Sequence, residues 1–184
     1  MRTSRLATIL IASVLTLGGA LGTASAKLAK AGDASVAFTA TGPGGLKIVG
    51  TTSELAVADD GQTVTVSVQL RALDTKIELR NKHMREKYLE VEKFPTAVLV
   101  VPRAELRVPQ TGDVSAEANG VMKIHGKERP VRFKYTAKRS GAQMAVSGVV
   151  RVNIKEFGIE EPSFMGASVK PDVDVNATFA VADL

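Results

Sequence analysis

From Thr63 to Arg71 the chain alternates without a break, with Val64, Val66, Val68 and Leu70 on one side and Thr63, Thr65, Ser67, Gln69 and Arg71 on the other. A two-residue period is the signature of a β-strand, and a sheet with one wet and one dry face selects it. A helix would scatter those four apolar side chains around its circumference. The same alternation recurs at Val36, Phe38 and Ala40, at Leu46, Ile48 and Gly50, and at Val131, Phe133 and Tyr135. It returns at Met144, Val146, Val150 and Val152, with Gly148 between them, and again from Val173 through Val175, Ala177 and Phe179 to Val181. Turn residues punctuate these runs at Gly42-Pro43-Gly44-Gly45, Asp59-Asp60-Gly61, Gln110 to Asp113, Gly126 to Pro130 and Ser140-Gly141. Strands spaced this way specify an all-β sandwich or barrel. Coil is expected before about Ser35.

One stretch breaks the pattern. Residues 79–89, LRNKHMREKYL, are charged, rich in helix formers and free of Gly and Pro. They predict a short helix with Asn81 as its N-cap and with Met84 and Tyr88 on one face. Pro95 ends it, and the apolar run Ala97 to Val101 follows.

The inward positions are often small. The face from Val114 to Ile124 reads Val114, Ala116, Ala118, Gly120, Met122, Ile124, and Ala40, Gly50, Ala72 and Gly148 lie on other apolar faces. A closed sheet of about eight strands has an interior that side chains just fill or that holds one small ligand. Small residues fit a ligand cavity, but they also mark bulges and corners where backbones approach closely. Both readings stay open at this point.

The N-terminus predicts export. Arg2 and Arg5 precede an apolar run from Leu6 to Leu21, which ends in Thr23-Ala24-Ser25-Ala26. This order of basic, apolar and small residues reads as a signal peptide over residues 1–26, cleaved near Ala26, with a single domain over residues 27–184. The location expected is periplasmic or secreted. With no cysteine in the chain there is no site for lipid attachment. The net charge of +5 loses two units with the leader, and no basic stripe with interleaved aromatics points to nucleic acid.

Catalytic and metal chemistry is sparse. The two histidines are His83 and His125. His83 and Glu86 are spaced as a helical pair but lack further ligands, so no metal site is expected. His125 reads as a turn histidine bonded to backbone. Asp74 reads as a structural partner of Arg71 or Arg80, and Glu160-Glu161 as a solvated turn. No nucleophile elbow, phosphate loop or dinucleotide motif is present. Ser163 and Ser168 have no histidine near them in sequence. The chain therefore reads as a binding protein, with no catalytic residue and no cofactor.

Four segments together resemble the YceI-like proteins, a family of polyisoprenoid-binding proteins outside the cytoplasm. They are Leu70 to Thr75; Arg80 to Leu89 running on to Lys93-Phe94-Pro95-Thr96-Ala97; Gly120 to Gly126 with Arg129-Pro130-Val131; and Phe157-Gly158-Ile159 with the strand Val173 to Val181. The resemblance implies an extended antiparallel, lipocalin-like β-barrel of about eight strands with one short helix near residues 79–89. It implies a polyprenyl lipid or isoprenoid quinone as ligand. The family carries no shared catalytic set. The loop Glu160 to Lys170 is a departure that alters the mouth.

The expected site follows. An apolar tail lies against Phe38, Ile48, Val66, Val68, Leu70, Val146 and Val150. Met84, Phe157, Ile159, Phe164 and Met165 frame the opening. Arg80, Lys82 and His83 meet the head group. Candidate partners are a second copy paired through the helix face, and transient contact with a membrane or with lipid-handling proteins. Two rivals stand beside this reading: a structural barrel with a filled core, and a lipid-modifying enzyme in which His83 or His125 meets an acid or a serine.

Overall fold

A computed structural model describes residues 26–164 and 166–184; the expected signal peptide falls almost wholly outside them. The strands are β1 (Leu28–Thr41), β2 (Lys47–Thr52), β3 (Leu55–Asp59), β4 (Thr63–Gln69), β5 (Thr96–Pro102), β6 (Gly112–Ile124), β7 (Lys127–Ser140) and β8 (Gln143–Asn153). A two-residue hairpin, β9 (Ser163–Phe164) and β10 (Ala167–Ser168), precedes the last strand, β11 (Asp172–Asp183). One antiparallel sheet runs β2-β1-β11-β8-β7-β6-β5-β4-β3. Its two edge strands are consecutive in the chain, separated only by Ser53 and Glu54. They act as one bent stave, so the sheet rolls into a nearly closed barrel of eight staves, the number that leaves room for one small ligand.

The alternation is realised as expected. Val64, Val66, Val68 and Leu70 all face the barrel interior. The regular strand stops at Gln69, and Leu70–Ala72 tighten into a 3-10 turn. The core is continuous around the barrel, with Val101, Ala118, Ala137, Val152, Phe157 and Val181 among its most buried members. A smaller cluster of Leu70, Leu73 and Val91 sits under the helical segment.

Three expectations are corrected. The residues before Ser35 are not coil, because β1 begins at Leu28 and pairs with β11 from Leu28↔Asp183 onward. An irregularity between Lys30 and Ala34 interrupts the register and weakens the local pattern. The helix lies where expected but is not α throughout: α1 (Glu78–His83) passes into a wide π turn at Met84–Tyr88, closed by Leu89 N–H donating to the Met84 carbonyl at 2.8 Å. Asn81 is not a cap. It lies inside α1, 4% exposed, and its Oδ1 accepts from Thr75 N–H and Thr75 Oγ1, both at 2.8 Å.

Candidate ligand cavity

The barrel encloses a cavity of about 990 Å3, the upper end of the usual range for small-molecule sites, about 300–1,000 Å3. Its wall is the inner face of every stave. Leu28, Val36, Phe38 and Ala40 come from β1, Val64, Val66 and Val68 from β4, and Val146 and Val150 from β8. Polar side chains are few. Arg80, His83 and Tyr88 lie on the helical segment, with Thr75 just before it and Ser163 on β9. Tyr135 and Arg107 lie on other parts of the wall, where Tyr135 Oη accepts from Arg107 N–H at 2.6 Å.

The small inward residues divide between the two readings. A Cβ on Gly50 would stand 2.2 Å from the Phe38 ring, so Gly50 is the seat of that ring. A Cβ on Gly120 would stand 2.8 Å from the Val100 carbonyl oxygen, a close approach of neighbouring strands. Gly148 differs: a Cβ there would meet nothing nearer than 3.8 Å, and the residue lines the cavity. Close packing explains the first two, and open space the third.

Of the expected site residues, Phe38, Ile48, Val66, Val68, Leu70, Arg80, His83, Met84, Val146, Val150 and Ile159 line the cavity. Lys82 does not. It is exposed, on the side of α1 turned away from the face that carries Arg80, His83 and Met84 at i, i+3 and i+4 spacing. Phe157 does not either, being 1% exposed and packed in the core wall. The side chain of Phe164 and the whole of Met165 lie outside the described residues. Sequence reasoning missed Leu73, Thr75, Ile77, Leu79, Leu106 and Val108, which also line the space. Leu79 sits in α1 and the others in connecting segments, where no alternation marks an inward side.

The electrostatics separate structural charges from open ones. Asp74 bonds Lys76 and Asn81 Nδ2 instead of Arg71 or Arg80. Hydrogen bonds from the Lys76 side chain, the Asn81 amide and the Lys76 backbone hold its carboxyl well below the usual range. Arg71 pairs with Glu92. His125 is a turn residue at φ +51°, but its partner is a side chain, with Nε2 2.8 Å from Glu90 Oε2 and its ring against Phe94. Lys93 first, then His125, depress the Glu90 carboxyl. The side chains of Arg80 and His83, by contrast, make no hydrogen bond or ion pair among the described residues, although both residues line the cavity. No group of metal-ligating side chains occurs among the described residues.

Comparisons with known proteins agree with this architecture. The YceI-like domain family matches residues 25–181. A UPF0312 protein of Pseudomonas fluorescens is 29% identical over 133 residues, which are 68% of this chain and 67% of that protein. A Pseudomonas putida relative is 26% identical, and the match spans only 62% of its length. Among solved structures, a polyisoprenoid binding domain from Saccharophagus degradans, implicated in plant cell wall breakdown, superposes with a TM-score of 0.73. That match has 13% identity and covers 87% of this chain and all of that one. BcnA of Burkholderia cenocepacia gives 0.66 at 15% identity, covering 80% of this chain and 95% of that one. At these identities the likeness is one of fold.

Proposed function

Because the chain belongs to the YceI-like domain family, we propose that it is a lipid-binding protein, not an enzyme, and that it holds the apolar tail of a polyisoprenoid or isoprenoid quinone inside the barrel. The observation that carries this reading is the 990 Å3 cavity with an almost wholly apolar wall. A tail moved into it from water gains roughly 25 cal/mol for each Å2 buried, offset in part by the entropy of association. No catalytic group is required. The polar side chains of the helical segment support a head group at that end, with Arg80 and His83 lining the cavity there. The leader pattern supports action outside the cytoplasm, in the periplasm or beyond.

The filled-barrel rival requires a core without space, which the cavity volume opposes. The enzyme rival requires a histidine beside an acid or a serine in the cavity. His125 meets Glu90, but neither lines the cavity, and His83 has no such partner among the described residues.

Organic extraction and mass spectrometry of the purified protein test the proposal. A prenyl lipid should be recovered, and added prenyl quinone should raise the melting temperature of the stripped protein. Repeated extracts without lipid, together with no thermal shift, would sink it.

A further inference from the structure

Exposed leucines and isoleucines are few among the described residues, and three of them come from the segments that leave the strands at the α1 end. Leu46 is 60% exposed, Ile77 47% and Leu79 64%. All three also line the cavity. Val149 shares both properties within β8, but Leu46, Ile77 and Leu79 lie beyond the strand ends, at the rim of the opening. Leu46 enters from the turn before β2, and Ile77 and Leu79 from α1 and the residue before it. The bridge in which Thr51 and Asp74 exchange both backbone hydrogen bonds, at 3.0 and 2.9 Å, ties the helical segment to β2. The rim is thus apolar where a water-facing mouth would be polar.

Cations outnumber acids in the chain beside these residues, although Glu78 stands between Ile77 and Leu79. Between Lys76 and Tyr88 the chain carries five Lys or Arg and two Glu. Lys47 follows Leu46 directly, and Lys82 stands one turn from Leu79 on the same side of α1. Lys82 and Arg80 have no ion-pair partner among the described residues. Apolar side chains with unpaired cations beside them match the chemistry of an anionic bilayer surface, which takes apolar groups below its headgroups and attracts Lys and Arg above them.

We propose that the α1 end of the barrel docks on an anionic lipid bilayer, with Leu46, Ile77 and Leu79 entering the headgroup layer and Lys47 and Lys82 holding the surface. The docking surface stands on these residues, but its purpose rests on the lipid-binding reading: a mouth pressed to the bilayer lets an apolar tail pass between membrane and cavity without crossing water.

Flotation of the purified protein with vesicles of phosphatidylcholine alone, or of phosphatidylcholine with phosphatidylglycerol, tests it. The protein should float with the anionic vesicles and not with the neutral ones, and should release as salt rises. Leu79→Asp should lower the bound fraction at least ~5-fold, through loss of apolar burial and added repulsion. The double variant Lys47→Glu, Lys82→Glu should lower it similarly. Neither of its residues lines the cavity, so that variant should still take up a fluorescent prenol from detergent solution. Val121→Asp, on the outer wall of β6, should float like the parent. A parent protein that takes up the prenol but floats with neither vesicle overturns the docking surface and leaves lipid binding intact. Equal flotation with both vesicles, equal loss in Val121→Asp, or retention of the double variant on anionic vesicles overturns it too. Flotation without prenol uptake keeps the surface and sinks the lipid-binding reading.

Discussion

At one end of the barrel the Asp59 side chain is fully buried, paired with Arg103 and accepting from Leu28 N–H at 2.9 Å. At the other, Arg80 and His83 line the cavity, and their side chains have no partner among the described residues. The contrast extends to the neighbours. The Asp59 end adds a bidentate pair, with Arg139 Nη1 donating to Asp183 Oδ2 at 2.6 Å and Nη2 to Oδ1 at 3.1 Å, and Arg139 Nε reaching the Pro109 carbonyl at 2.7 Å. The α1 end has a π turn, left-handed backbone at Lys76 and three exposed apolar side chains. Charges that satisfy one another seal an end, and charges left facing a cavity prepare it for something else. A buried carboxylate is tolerated only where its partners are fixed. An open arginine costs little while water reaches it and gains when an anion replaces that water.

This contrast breaks most directly at Asp59. Asp59→Ala removes the carboxylate partner of Arg103 and the acceptor of the Leu28 and Gly61 N–H groups, and should cost about 3–5 kcal/mol, read as a lower urea midpoint. A change below 1 kcal/mol would mean that the end is not held by this pair. Asn81→Ala tests whether the α1 end has a fixed part of its own. It strands the Thr75 N–H and should cost about 1–3 kcal/mol. The loss should appear as faster amide exchange over residues 70–90, with the β6–β7 wall still protected.

Acid separates the ends by charge state. Arg139 first depresses the Asp183 carboxyl through hydrogen bonding, then through its charge. The pair's contribution is therefore complete above the ordinary carboxylate pKa, about 3.9, and is lost as pH falls through the lower folded value. Asp183→Asn should flatten the stability profile in that acid window and leave it unchanged near neutrality apart from a constant offset. A variant whose acid limb matches the parent's would remove Asp183 from the account. The smallest effect belongs to the open end, where Arg80→Gln should shift stability by no more than about 0.5 kcal/mol while weakening retention of an anionic prenyl lipid more than that of a neutral one.

The wall of the barrel was legible in the sequence because each strand has one wet and one dry side, and Val64 to Leu70 can be read without knowing their neighbours. The first residues of β1 were not, because Leu28 to Asp33 carry little alternation, and it is the partner strand β11 that fixes them. Asn81 has the local chemistry of a helix cap, but Asp74 and Thr75 capture it from across the turn. Gly50 and Gly148 look alike in sequence and do opposite things, because what decides is whether a ring such as Phe38 comes to rest on them. The cavity wall is thus readable from period alone, while the rim is not. Leu46, Ile77 and Leu79 belong to segments whose inward side is set by the route of the chain.

The pairing of β1 with β11 also governs how the molecule forms. Leu28 meets Asp183 and Ala40 meets Val173, so the seam of greatest sequence separation joins the first strand to the last. No early hairpin can supply it. Closure of so long a loop places this barrel among slow folders, on the scale of milliseconds to seconds. Until the final strand arrives, β1 and β8 present bare edges on which another unfinished copy can add. Shortening β11 would therefore be felt first as aggregation during folding, before any loss of cavity is seen.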